Sequence, residues 1–267
     1  MEDRLQKQRF ERKYFITERQ ATDIREMIRG HMVPDAFSRD RSHYMYPVYS
    51  LYVDSDDLTT YWATVHCEAR RFKLRVRYYS DDPGDPLFFE IKRRENDCIL
   101  KHRGAVHRSA GAALLSGEWP CPEHLHFDKA SHLVALQRFC RLMLRLNARP
   151  TIAVSYMREA WMSPYGNSAR LTIDRDVMGE PRREPIFGIE MREAVRPFGD
   201  RRVLELKFTD RFPDWFRDLA QQFELHQSAA PKYCGSVALA GRDVGHGPGR
   251  MNAPNELAEE VMPWGWD

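Results

Sequence analysis

Within the stretch RRFKLRVRYY, the cations Arg71, Lys73, Arg75 and Arg77 recur at every second position, separated by Phe72, Leu74, Val76 and Tyr78. A period of two puts the cations on one face of an extended strand and the apolar residues on the other, whereas a helix would scatter both sets. Four cations in succession at about 7 Å spacing form a row suited to a polyanion. An ordinary exposed basic face is the alternative, and on this stretch alone the two readings stand level. Related rows recur elsewhere. RFERKYFI sets Arg9, Glu11 and Lys13, with Phe15, against Phe10, Arg12, Tyr14 and Ile16. LFFEIKRRE sets Phe88, Glu90, Lys92 and Arg94 against Leu87, Phe89 and Ile91. CILKHRGAVHR carries Lys101 and Arg103 at the parity of Ile99, ARLTIDRDV sets Arg170, Thr172 and Asp174 against Leu171 and Ile173, and RRVLELKF sets Glu205 and Lys207 against Leu204, Leu206 and Phe208.

The elements that position these rows are legible between them. Thr17 is expected to cap a helix over ERQATDIREMIRG, with Ala21, Ile24, Met27 and Ile28 as its apolar stripe and Gly30 as its stop. Residues 31 to 43 read as a loop, and YPVYSLYV, 46 to 53, as an aromatic-rich strand. Asp54 or Ser55 would cap a short helix running past Trp62 toward His66. DDPGDP turns the chain, residues 95 to 97 reverse it, and a helical stretch at 110 to 115 precedes the two prolines of WPCPEH. Residues 131 to 146 show a clear helical period through Leu133, Leu136, Phe139, Cys140 and Met143, with Arg138, Arg141 and Arg145 on the solvated side. TIAVSYMREAW is a strand candidate carrying Tyr156 and Arg158, and a YGN turn precedes ARLTIDRDV. Residues 213 to 225 predict a helix that buries Trp215, Phe216, Leu219 and Phe223, and SAAPKYCGS contributes Lys232. Beyond Gly241 the chain is rich in Gly, Pro and Asn, and is expected to lack order unless Trp264 and Trp266 dock.

A chain of 267 residues, 42% hydrophobic and 30% charged, describes a soluble globular protein with one large core or two smaller ones. The net charge of +2 balances 41 basic against 39 acidic residues, so a basic site must come from how charge is distributed. No apolar run approaches the roughly 18 residues of a membrane span, and MEDRLQKQRFERK lacks the apolar core of a secretory signal. The five cysteines are widely spaced without a CxxC pair, which argues against a disulfide framework or a cysteine zinc site and makes a cytoplasmic location the simplest. The histidines lack HxxxH or HExxH spacing, and neither GxxxxGK[ST] nor GxGxxG occurs.

Strands joined by turns, with helices between hairpins, predict an antiparallel α+β fold. Ion-rich faces on several strands, each backed by an apolar face, are reconciled by a closed barrel with charges inside and helices outside. Isolated buried charges are costly, so the interior is expected to hold water, metal and an anion.

Taken in order, RFERKYFI, YSLYVDS, RFKLRVR, FFEIKRR, SYMREA, RLTIDRD, VLELKF and PKYCGS resemble the VTC domain of polyphosphate polymerases, a branch of the CYTH-like triphosphate tunnel metalloenzymes. The likeness spans about residues 9 to 238, which makes residues 1 to 240 the expected tunnel domain and 241 to 267 an appended tail. The resemblance implies a closed eight-stranded antiparallel barrel with flanking helices, holding a triphosphate together with Mn²⁺ or Mg²⁺. It implies phosphate contacts at Lys13, Arg75, Arg77, Lys92, Arg158, Arg170 and Lys232, a metal ligand at Glu205 and a tyrosine near the phosphates at Tyr156. Lys207, Lys101 and Arg103 are additional contacts, Arg9, Arg71 and Lys73 extend the binding row, and Glu11 and Glu90 join Glu205 as candidate metal ligands. The superfamily's ExExK strand reads here Arg9, Glu11, Lys13. Arginine in place of the first glutamate fits a tunnel richer in cations.

Residue chemistry agrees with that implication. A triphosphate carries about four negative charges, and in-line displacement at its terminal phosphoryl group needs neutralisation and alignment more than covalent help. Arginines offer planar forks to phosphate oxygens, lysines offer point charges, and a carboxylate-bound divalent ion could bridge the phosphates. The expected reaction is synthesis of polyphosphate from ATP with release of ADP, for which an ionised phosphate end needs no base. The alternatives are a tripolyphosphate or nucleoside triphosphate hydrolase, with Glu11 or Glu90 positioning water, and a non-catalytic polyphosphate-binding module. Cations at Arg9, Lys101, Arg103 and Lys232, beyond the needs of one triphosphate, suggest a chain passing through. The expected partners are ATP, phosphate and polyphosphate. Nucleic acid is not expected, because Glu11, Glu90 and Glu205 would repel its backbone, and a membrane-protein partner is not readable from the sequence.

Overall fold

Every alternating stretch named above is a strand, and all of them join one antiparallel sheet. The computed structural model describes residues 9–95, 98–165, 168–209 and 211–241. The strands are β1 (Arg9–Ile16), β2 (Val33–Pro34), β3 (Met45–Asp54), β4 (Arg70–Tyr78), β5 (Leu87–Glu95), β6 (Cys98–Val106), β7 (Arg149–Met162), β8 (Ala169–Pro181) and β9 (Arg202–Thr209). They lie in the order β1-β9-β8-β7-β3-β4-β5-β6, with the two-residue β2 added alongside β7. The helices are α1 (Glu18–Ile28), α2 (Thr59–Val65), α3 (Gly111–Leu115), α4 (Ala130–Arg145), α5 (Asp214–Gln222) and α6 (Lys232–Ala240). Among the described residues no helix is long and apolar enough to cross a membrane. The reversal at 95 to 97 and the YGN turn fall partly, and the tail beyond Gly241 wholly, outside the described residues.

Segregation of side chains by parity gives the sheet one charged, concave face and one apolar, convex face. On the convex side of β4 and β5, Leu74, Val76, Phe89 and Ile91 bury against Leu136, Phe139, Cys140 and Met143 of α4. Gly104 of β6 permits this approach, since a Cβ there would stand 2.8 Å from the His132 carbonyl oxygen. A second apolar layer packs Ile24 and Ile28 of α1 and Phe216 and Leu219 of α5 on Leu171, Ile173, Leu204 and Leu206. Each such side chain contributes about 1.5–3 kcal/mol by leaving water. Thr17 caps α1 in a capping box with Gln20, as its sequence predicts. Both candidate caps serve α2. The Asp54 carboxylate accepts the N–H groups of Thr60 and Tyr61, and Ser55 Oγ accepts that of Thr59.

The sheet is not the closed barrel expected from the sequence. Among the described residues β1 and β6 form no ladder, because other segments occupy their outer edges. Ser228 N–H donates to the Lys13 carbonyl at 2.8 Å and Tyr14 bridges to Gln227, which uses the edge of β1. On β6, His126 N–H donates to the Ala105 carbonyl at 3.1 Å and Val106 bridges to Leu125. The sheet nevertheless curls far enough for Lys92 of β5 to reach Glu11 of β1 at 3.5 Å.

Helices were expected only outside the sheet, yet α6 seats on the concave face, against β7 and β8. A bulge prepares the seat. Met157 opposes Arg175 while Ser155 opposes Met178, so Asp176, with φ of 49°, and Val177 both answer Tyr156. This exchange of parity turns Val177 and Gly179 toward α6, and a Cβ on Gly179 would stand 2.4 Å from Ser236. Tyr233 of α6 stacks on Tyr52 at 4.8 Å, closing part of the concave face with apolar matter. The remainder is charged. The loop over 31 to 43 also holds more structure than expected, because Val33–Pro34 pairs with Met162 and Trp161.

Candidate functional site

Strand register decides which charges meet. Across β4, β5 and β6, Lys73, Lys92 and Lys101 lie directly opposite one another, and in a second row Arg75, Glu90 and Arg103 do the same. On the other wall Lys13 of β1 opposes Glu205 of β9, which opposes Thr172 of β8, while Lys207 opposes Arg170 and Arg158 of β7 opposes Asp174 of β8.

Three carboxylate centres gather most of the cations. Glu90, wholly buried, takes Arg75 at 2.6 Å and Lys101 and Arg103 at 3.2 Å. Asp174, also wholly buried, takes a two-pronged Arg158 at 2.7 Å and Lys232 at 2.6 Å. The third is the neighbouring pair Glu11 and Glu205, with Lys13 at 2.7 Å from Glu11 and 3.9 Å from Glu205, Lys207 at 3.3 Å from Glu205 and Lys92 at 3.5 Å from Glu11. Arg158 lies 3.7 Å from Glu205 and so links the second centre to the third.

The remaining cations have weaker partners. Arg77 is buried, and its guanidinium donates to the hydroxyls of Tyr156 at 3.0 Å and Ser50 at 3.4 Å. Lys73 Nζ lies 3.6 Å from Cys234 Sγ and 5.6 Å from the centre of the Tyr233 ring. The Tyr156 ring stands beneath Arg158 and Lys232, 5.1 and 4.8 Å from its centre. Arg170 is held at 3.1 Å by Asp35, and Arg71, at the end of its strand, donates to the Glu68 carbonyl. The side chain of Arg9 lies outside the described residues. Cations thus outnumber the carboxylates facing them.

Protonation follows from this arrangement. Burial and the Glu205 charge push Glu11 upward, but Lys13 and Lys92 outweigh them and hold it below the usual carboxylate range. Burial is likewise overcome at Glu205 by Lys207 and Lys13, and at Glu90 by Arg75 and Arg77, leaving both well below that range. Asp174 is drawn down to about 2, where Arg158 and Lys232 overcome burial. The lysine row moves the other way for a base. Burial lowers Lys73, and it lowers Lys101 to about 8 with help from Arg103 and Arg75. At Lys92 the Glu11 charge supports the ammonium, but burial and Lys13 outweigh it and bring the group down to about 7.

A divalent ion fits one of these centres. Among the described residues no three His, Cys, Asp or Glu gather at one point, so no all-protein cage is present. Magnesium is commonly held by one or two carboxylates together with substrate phosphates, which is the donor set that Glu11 and Glu205 offer as adjacent like charges. Glu90, expected beside them as a third ligand, is instead committed to Arg75, Lys101 and Arg103.

Several participants were absent from the candidate residues. Asp174 carried a signal, because it shares parity with Arg170 and Thr172. Ser50 and Tyr52, which hydrogen-bond Arg77 and Arg75, share parity on β3, but no charge marks them. Asp35 and Cys234 reach the site from a loop and from α6, where strand parity gives no guidance.

The family model for the VTC domain matches residues 8–240. A search of curated proteins finds no match. Among solved structures the chain is similar to a "putative adenylate cyclase" from Bacillus halodurans, with 13% identity over 84% of this chain and 94% of that one and a TM-score of 0.48. It is also similar to a protein so described from Vibrio parahaemolyticus, with 12% identity, coverage of 86% and 99%, and a TM-score of 0.43. Both scores lie below 0.5, and neither likeness assigns a fold or an activity. The charged strands of the concave face all fall within the matched residues, and the chain belongs to the VTC-domain family.

Proposed function

We propose that this protein transfers the γ-phosphoryl group of ATP to the end of a polyphosphate chain, releasing ADP, with the phosphates lying along the concave face. The observation that carries the reading is the row Lys73, Lys92 and Lys101, three lysines directly opposite one another on adjacent strands. Like charges so placed destabilise a sheet, and Glu11 and Glu90, which reach Lys92 and Lys101, are shared with other cations, so the row favours a further anion over it. A phosphate chain supplies that anion. Arg77, buried with hydroxyl partners, gives the same chain a planar fork.

The residues divide the work by position. Arg158, locked by Asp174, presents a pre-oriented guanidinium beside the Glu11 and Glu205 pair, so charge developing on the transferred group meets a donor that need not reorganise. Lys13, Lys92 and Lys207 surround the same carboxylates and neutralise phosphate oxygens from both walls. Glu11 and Glu205 would hold Mg²⁺ or Mn²⁺, which supplies Lewis-acid polarisation and charge neutralisation when bound. Carboxylates held below their ordinary range are weak bases, and Glu11, Glu90, Glu205 and Asp174 are all of this kind. An ionised phosphate end needs no base, so carboxylates this weak suit it better than a water that must lose a proton, and phosphates lying over Lys92 and Lys101 would hold both as ammonium ions rather than as bases. The five free cysteines support a reducing, cytoplasmic setting. Residues 1 to 240 would form the working domain, with 241 to 267 as a tail.

Incubation with ATP and Mn²⁺ or Mg²⁺ tests the reading. A short polyphosphate primer should accelerate ADP release, and chains longer than the primer should appear on a gel. ADP release with free phosphate as the only product carrying the transferred phosphoryl group would make water the acceptor and remove the polymerase assignment. Tight binding without turnover would leave a polyphosphate-binding module.

A further inference from the structure

At one end of the concave face, aromatic side chains border the cations without a role in the chemistry above. Phe37, in the loop between β2 and β3, is 67% exposed, a large apolar ring left in water. It lies nearly parallel to Tyr79, which follows β4, with ring centres 6.2 Å apart and planes at 12°. Tyr46 at the start of β3 stands 6.1 Å from each of them, and Phe88 of β5 stands 6.0 Å from Tyr79.

Contacts on both sides fix this cluster to the phosphate site. One Asp35 carboxylate oxygen accepts the N–H groups of Phe37 and Ser38 at 3.0 and 2.9 Å, and the other takes Arg170 at 3.1 Å. Ser38 Oγ accepts the N–H of Ala160 at 3.2 Å, pinning the loop to β7. Tyr46 is the register partner of Arg158. On the far side Arg103 donates to the Tyr79 hydroxyl at 3.4 Å, and its guanidinium carbon sits 3.5 Å from the centre of the Phe88 ring. Arg158, Arg170 and Arg103 therefore begin where the rings end.

We infer that Phe37 and Tyr79 form a stacking subsite for the base of a nucleoside triphosphate whose phosphates run onto the concave face. The inference rests on the phosphoryl-transfer reading and goes beyond it by naming where the nucleoside sits and at which end it enters. Two parallel rings with a third between them stand about 7 Å apart, and the centres of Phe37 and Tyr79 lie 6.2 Å apart with their planes nearly parallel. The Phe37 side chain, exposed beyond its held backbone, is the ring that can turn aside. Stacking accepts any base, since each has a π-face, so the subsite separates nucleotides from inorganic triphosphate rather than adenine from guanine.

Titration of ATP, GTP and inorganic tripolyphosphate, each with Mg²⁺, into the full chain tests this. Phe37→Ala should weaken ATP and GTP binding by about 5- to 150-fold, the range of one base–aromatic stack. Tripolyphosphate binding should be unchanged. Phe37→Leu, apolar but without a flat ring, should lose the same increment, and Phe37→Trp should retain it. Phe37 is exposed, so these variants should keep the wild-type melting temperature. Tripolyphosphate binding intact while ATP binding ignores Phe37 would overturn the subsite and leave the phosphate site standing. Equal losses for ATP and tripolyphosphate would also overturn it. Failure of wild-type protein to bind any of the three would overturn both.

Discussion

Three lysines side by side set the acid–base behaviour of this protein. Lys92 and Lys101 sit at about 7 and about 8, and Lys73 is lowered as well, against roughly 10.4 for an unfolded chain. Between these values the unfolded chain binds more protons than the folded one, so the ligand-free fold gains stability as pH rises from about 7 toward 10. A bound polyphosphate favours the ammonium forms and reverses the trend. Binding of tripolyphosphate at pH 8 without divalent ions should therefore take up on the order of one proton. Calorimetry in two buffers of different ionisation enthalpy reads this directly, and Lys92→Arg, which cannot lose its proton, should reduce the difference. Identical heats in both buffers would show that the lysines were already charged. The arginines of β4 should part company in the same manner. Arg77 hydrogen-bonds hydroxyls and acts on Glu90 only at a distance, so Arg77→Ala should weaken triphosphate binding by about 2 kcal/mol while lowering the melting temperature less than Arg75→Ala does. Arg75 compensates the buried Glu90, so Arg75→Ala should cost about 2–3 kcal/mol of stability in thermal denaturation. Equal stability losses from both would mean that Arg77 is a structural residue.

Elements were legible where chemistry repeats and opaque where it does not. β4 and β5 declare themselves through strict alternation, and α4 through its period, so their existence and inner faces follow from the sequence. The helix α6 was hidden because KYCGSVALA follows a proline, contains Gly235 and buries Tyr233, Cys234, Ser236 and Val237, leaving no polar stripe to mark a period. Barrel closure was misjudged for a related reason. Alternation tells which face a residue shares and is silent about who pairs with an edge, and the segments covering β1 and β6 are irregular. A buried ion cluster on the convex side shows how α1 is held. Glu159, wholly buried, accepts Arg25 and Arg175 at 2.8 Å and the Trp161 indole N–H at 2.8 Å. Glu159→Gln should destabilise the fold by about 3 kcal/mol, measured by denaturant unfolding, because Arg25 loses its counter-charge while Arg175 keeps only Glu18 at 3.0 Å. Binding of tripolyphosphate to the folded variant should be unchanged, since the cluster lies behind the sheet. A loss below about 1 kcal/mol would show that Arg25 and Arg175 find water or other carboxylates.

Over the whole molecule the net charge is only +2, and the cationic site arises from sorting rather than excess. The sheet collects Lys13, Lys73, Arg75, Arg77, Lys92, Lys101, Arg158 and Lys207 on one curved surface, α6 adds Lys232, and the carboxylates there tether cations without matching them in number. Among the described residues β1 and β6 come close without forming a ladder, and Lys92 meets Glu11 across that seam. Such a surface is costly to hold alone, and on the proposed function a phosphate chain would offset that cost. The most direct test is a crystal structure of the protein with inorganic tripolyphosphate and Mg²⁺. The account predicts phosphate density on the concave face in contact with Arg77, Arg158 and Lys92, with Glu11 and Glu205 as the residues that would hold the metal. Density confined to the convex surface, or a concave face filled by water with its lysine row unoccupied, would contradict it.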